Sequence, residues 1–180
     1  MPDYQPADLY AGYAKALVRK MPELRHVPIG SIVFVENVAK AAKPTRRRRL
    51  SSVFKAPKKK LVKYAACRKL SPLIHYLTGK SYVIEVFQDA CQNFSREKMA
   101  ILMYHELKHI AEDGKLAKHD IEEWGLVTRA IGADWTITQR ILPDILASDF
   151  SWAKYRAPQV TFADVVEEGQ PKAAAAAATH

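Results

Sequence analysis

The stretch that most constrains the fold runs from residue 96 to residue 113. Met99, Ile101, Leu102, Met103, Tyr104, Leu107 and Ile110 spread apolar side chains around almost the whole circumference of a helix there. A helix with no polar face belongs inside a domain, covered by other elements. Its ends are marked as well. Ser95 is placed to cap the first turn, Glu97 complements the positive end of the dipole, and Phe94 can staple onto Met99. The spacing predicts a helix from about Arg96 to Asp113 that stops at Gly114, the residue best suited to a left-handed C′ position.

Two histidines and a glutamate lie within this buried segment, as His105-Glu106-Leu107-Lys108-His109. Residues four apart on a helix differ by about 40° in direction, so His105 and His109 can offer two imidazoles to one cation. Glu106 points to the same side, near enough to serve a water activated by that cation without being a ligand. Burying three such groups as mere core residues would cost ~1–3 kcal/mol for each one left unsatisfied. A tetrahedral catalytic Zn²⁺ needs a third protein ligand and an open position. His119 is the first candidate, because the chain must turn back at Gly114 and an expected helix cap at Asp120 fixes the direction of its neighbour. The pattern resembles the metzincin plan with longer intervals. A thermolysin-like plan would instead draw the third ligand from Glu122 or Glu123, which otherwise serves as a cap with Asp120.

The rest of the chain supplies elements to cover that helix. Leu9, Tyr10, Tyr13, Leu17 and Val18 share one face of a helix over 6–20, ended by Met21-Pro22. Strands are expected at Ile32–Val35, Leu61–Arg68 and Ser81–Phe87, the last two from alternation. A helix starting at Asp120, with Glu123 three residues on, should run to about Ile131. A further helical stretch after Gly132 would be capped by Asp134 and stopped at Pro143. His26 and His75 read as loop histidines. Residues 1–150 form the expected domain and 151–180 a tail, with PKAAAAAATH at its end of low complexity.

Composition narrows the class. The values of 48% hydrophobic and 26% charged residues are those of a globular domain, and two cysteines, Cys67 and Cys91, are too few for a disulfide framework or a zinc ribbon. No run of about 18 apolar residues is present to span a bilayer, so a cytoplasmic location without a membrane partner is expected. The net charge of +9 is concentrated in KPTRRRRLSSVFKAPKKK, residues 43–60, which holds nine Lys and Arg and no acid. Elsewhere acids and bases balance. Such a cluster suits non-specific contact with DNA or RNA, or else a solvated loop.

The segment from about Leu61 to Trp135, with YVIEVF, MYHELKHI and KHDIEEWG, resembles the putative phage metallopeptidase family, itself similar to SprT-like zincins. The resemblance implies metal ligation by His105, His109 and His119, with Glu106 as catalytic base. The fold expected is α+β and zincin-like, with a small sheet on one side of the buried helix and C-terminal helices on the other. The expected function is zinc-dependent hydrolysis of a protein or peptide substrate. The competing expectation is a nucleic-acid-binding or structural accessory protein with a non-catalytic zinc site.

Overall fold

The computed structural model describes residues 3–39, 62–119, 124–153 and 155. The basic segment 43–60, the Asp120–Glu123 stretch and the alanine-rich end lie outside the described residues. Four strands form one mixed sheet: β1 (Tyr4–Pro6), β2 (Ile32–Asn37), β3 (Ala65–Lys69) and β4 (Tyr82–Phe87). Their order is β1-β2-β4-β3, with β2 and β4 parallel at the centre and the two outer strands antiparallel to their neighbours. Among the described residues there are five α-helices: α1 (Asp8–Lys20), α2 (Pro72–Thr78), α3 (Gln88–Cys91), α4 (Arg96–Lys108) and α5 (Gly125–Ile131). The α+β class expected from the sequence is observed.

Alternation sorts the sheet into two faces. Ile32 and Phe34 of β2 and Tyr82, Ile84 and Val86 of β4 are buried against the helical layer, where Tyr10, Ala14 and Leu17 of α1 meet α4. The α1 face thus differs from the expected one, since Leu9 turns outward and Ala14 replaces it in the core. That helix also begins later than residue 6, because Pro6 pairs with Val35 in β1. On the opposite face Glu85 is buried on β4, held by the Asn37 amide at 2.8 Å and by Arg68 at 2.5 Å. Burial alone would raise the Glu85 pKa, but those hydrogen bonds and the Arg68 charge outweigh it and hold the carboxyl below its ordinary value.

Helix α4 is the buried element its composition demands. Ala100 through Tyr104, Glu106 and Leu107 are all buried, and Ser95 caps it by accepting from Lys98 N at 3.3 Å. Its end differs from the expectation. The helix stops at Lys108 with His109 as C-cap, and residues 110–116 form a tight turn in which Ala111 N donates to Lys115 O and Gly114 N to Ala111 O. Gly114 has the expected positive φ, 72°, but uses it in this turn. The Tyr82 hydroxyl and the Lys69 ammonium both donate to its carbonyl, at 2.8 and 2.7 Å, and pin the turn to the sheet.

Three further expectations are corrected. Helix α5 begins at Gly125 with Trp124 in the cap position, well after an Asp120 start. The stretch after Gly132 is a series of turns and no helix: the Asp134 carbonyl accepts from Ile137 N and Thr138 N, and its side chain binds Arg140. The β-branched run Thr136-Ile137-Thr138 resists helix. Lys98, donating from α4 to the carbonyls of Thr136 and Thr138 at 3.1 and 2.8 Å, fixes the turn form. His75 lies on helix α2, contrary to the loop expected for it, whereas His26 does lie in a loop, its Nε2 2.7 Å from Ile110 O. Trp152 packs on Tyr104 with ring centroids 5.2 Å apart, so the core extends to that residue.

Candidate metal centre

The early end of α4 determines how the site is assembled. From His109 the chain turns through 110–116, and Ala117 N returns to donate to His109 O at 2.7 Å. Two residues later His119 reaches the histidines of the helix. Its Nε2 lies 2.8 Å from His105 Nε2, and its ring centroid stands 4.6 Å from that of His105 and 4.5 Å from that of His109. One ligand atom from each of the three half-buried histidines falls within 4.8 Å of the others, as a shared cation requires.

The donor chemistry fits a metal. Nitrogens bound at ~2.0–2.1 Å in a tetrahedron stand about 3.3 Å apart, so the His105–His119 pair needs to open by only a few tenths of an ångström. His109 is already oriented, because its Nδ1 is 2.8 Å from Ala117 O. Donation to that carbonyl leaves Nε2 as the lone-pair nitrogen and fixes the tautomer. The same turn therefore supplies the third histidine and orients the second. Glu122 and Glu123, the alternatives for the third position, lie outside the described residues.

Glu106 is only 4% exposed, yet it helps line the same cleft, a cavity of about 710 Å³ shared with His105, His109 and His119. The opposite wall is the outer strand β3 with the residues leading into it, from Val62 to Cys67. Among the described strands β3 pairs only with β4, so the strand that lines the cleft is an outer strand of the sheet. Ala66, Leu102 and Trp135 make the lining mostly apolar. Cys67 also belongs to this wall, a placement that no sequence pattern signals. Burial, with the Glu106 charge as the lesser cause, pushes its thiol up to about 12, which keeps it a neutral thiol at physiological pH.

Trp124 was missed altogether in the sequence. Its ring stands 6.3, 5.3 and 5.1 Å from the centroids of His105, His109 and His119, and its indole N–H donates to His105 O at 3.0 Å. The Lys108 ammonium sits 5.4 Å from the centroid of the same ring. The nearly buried indole thus backs all three imidazoles at once. The only signal for it was an aromatic residue five positions after a candidate ligand, which is indistinguishable from ordinary core.

Fold and site together define an α+β protein with a three-histidine group able to hold a metal ion beside a buried glutamate. The chain belongs to the putative phage metallopeptidase family, whose model matches residues 3–145. That membership implies a metal and a protein or peptide substrate. No curated protein and no solved structure matches the chain. No helix among the described residues is long and apolar enough to cross a membrane.

Proposed function

We infer that this chain is a zinc-dependent peptidase of zincin-like arrangement, with His105, His109 and His119 as ligands and Glu106 as general base. The observation that carries this reading is the convergence of three ligand-spaced imidazoles and a buried carboxylate on one cleft lined by an outer strand of the sheet. Imidazole donors suit zinc, and three protein ligands leave one position of a tetrahedron for the reaction, whereas a structural zinc fills all four. When bound, the ion supplies a Lewis acid that brings water toward a pKa of ~7 and polarises a carbonyl.

The chain's own groups do the rest. The Glu106 carboxylate takes the proton of the attacking water and delivers it to the departing amine, for which its position one residue after His105 on α4 suits it. Ala117 O holds the His109 ring in place through Nδ1. As an outer strand, β3 offers main-chain groups to an extended substrate, which would add as a strand while Ala66, Leu102 and Trp135 receive an apolar side chain.

Metal analysis and a protease assay on four proteins test this. Wild type should carry about one zinc per chain. His105→Ala or His109→Ala should lose it, and Glu106→Gln should keep the zinc while losing hydrolysis. Undiminished turnover in Glu106→Gln would remove the general base, and stoichiometric zinc in both histidine variants would remove the site.

A further inference from the structure

Helix α2 is built inside out. Every residue from Ser71 to Gly79 is exposed, and Leu73, Ile74, Tyr76 and Leu77 keep 66%, 40%, 86% and 67% of their surface in water. At about 100° per residue these four occupy one arc of roughly 160°. The polar residues lie on the other side, tied to the chain that follows. His75 Nδ1 is 3.1 Å from Lys80 O and 3.3 Å from Ser81 Oγ, and the Thr78 hydroxyl donates to Ile74 O at 2.7 Å. A surface helix of a water-soluble domain ordinarily turns the opposite way. The exposure does not come from a poorly specified segment. Ser71 caps the helix, Pro72 opens it, and Gly79 closes it in the left-handed conformation at φ 67°.

The surroundings of this apolar knob are cationic. Residues 62–84 contain Lys63, Arg68, Lys69 and Lys80 and no acidic residue, and of these Arg68 is paired with Glu85. The Lys69 and Lys80 ammonium groups, one beyond each end of α2, donate to the carbonyls of Gly114 and Gly30 at 2.7 Å. Asp113, on the turn beside Lys69, is paired with Lys115 at 2.9 Å and also feels the Lys69 charge, so two cations there face one carboxylate.

We propose that α2 is a membrane-surface anchor that seats Leu73, Ile74, Tyr76 and Leu77 among the headgroups and upper acyl chains of an anionic lipid layer, with Lys69 and Lys80 at phosphate depth. Such a mixture of aliphatic, tyrosine and flanking lysine side chains is the chemistry of interfacial helices. Backbone desolvation is limited, because Ile74 N donates to Ser71 Oγ, Gly79 N to His75 O, and Ile74 O accepts from Thr78. A second copy is a poorer occupant. A helix of seven residues spans only ~10 Å, too little for the ~800 Å² per partner of a stable dimer. Either pairing direction would also set lysine against lysine. An element so short falls far below the span of about 18 apolar residues that a membrane crossing needs. The anchor is independent of the peptidase reading, so Glu106→Gln should leave it unchanged.

The test uses the full chain with vesicles of phosphatidylcholine, with and without phosphatidylglycerol. All three native tryptophans, Trp124, Trp135 and Trp152, are buried, so brominated lipids should quench a Tyr76→Trp variant while sparing wild type. Quenching should be stronger on the anionic vesicles. Leu73→Ser with Leu77→Ser removes only exposed side chains, so the fold should persist while vesicle affinity falls roughly tenfold per leucine. The proposal is overturned if Tyr76→Trp is unquenched, or if the double variant binds vesicles as wild type does, which would place any binding in the basic segment. It is equally overturned if sedimentation velocity shows a dimer that the double variant loses and no quenching accompanies it.

Discussion

Trp124 offers the sharpest check on how the three histidines are held. Its ring stands beside all of them and its N–H engages the His105 carbonyl, so one side chain supports two ligands at the end of α4 and a third on the returning segment. Trp124→Phe keeps an aromatic ring against the imidazoles and removes one hydrogen bond, a net loss of about 1 kcal/mol. For a domain of this size that lowers Tm by about 2–4 °C. Trp124→Ala removes the ring as well, and a buried tryptophan truncation costs about 3–5 kcal/mol, or roughly 10 °C and more. The two variants should separate further in metal binding. Groups that orient ligands typically contribute 10–100-fold to affinity. Trp124→Ala should therefore bind zinc about 10–100-fold more weakly, and Trp124→Phe should stay within about tenfold of wild type. Calorimetric melting of the metal-free protein gives the first quantity, and zinc titration against a competing chelator gives the second. A Trp124→Ala protein that melts early but binds zinc with wild-type affinity would refute the supporting role and leave Trp124 as packing alone.

Two other perturbations probe the scaffold that delivers the site. Because the Glu85 pKa is depressed in the folded state, its contribution to stability is complete above the ordinary carboxylate range and is lost as pH falls through the folded value. Arg68→Gln removes part of that depression, so acid unfolding followed by circular dichroism should begin at a higher pH, and an unmoved acid midpoint would show that the pair does not hold the carboxyl down. Gly114→Ala places a side chain at φ 72°, with its Cβ 3.5 Å from the Tyr82 hydroxyl. The left-handed conformation costs about 1 kcal/mol there, and a drop in Tm of about 2–4 °C is expected. Wild-type stability in that variant would mean the turn can relax without Gly114.

The parts of this fold that were legible in the sequence are those in which a local pattern and burial agree. Helix α4 is apolar all round and carries its cap in Ser95, so both its presence and its depth follow from the residues. Strands β2 and β4 show themselves by β-branched runs and alternation. Helix α2 had a complete set of end signals, Ser71, Pro72 and Gly79, but no apolar face turned inward, and a search for inward amphipathicity passes over it. The end of α4 was misplaced because Gly114 is suited to either a helix terminus or a tight turn, and only Tyr82 and Lys69, distant in sequence, select the turn. That selection matters more than the few residues involved. Had the helix continued to Asp113, the chain would have left it about 7.5 Å further along the axis, at 1.5 Å per residue. His119 would then have had to return over that distance to meet His105. Stopping at Lys108 lets one short hairpin bring Ala117 O to His109 and His119 to His105. The spacing between His109 and His119, longer than in the metzincin plan, is thus accounted for by the turn it encloses.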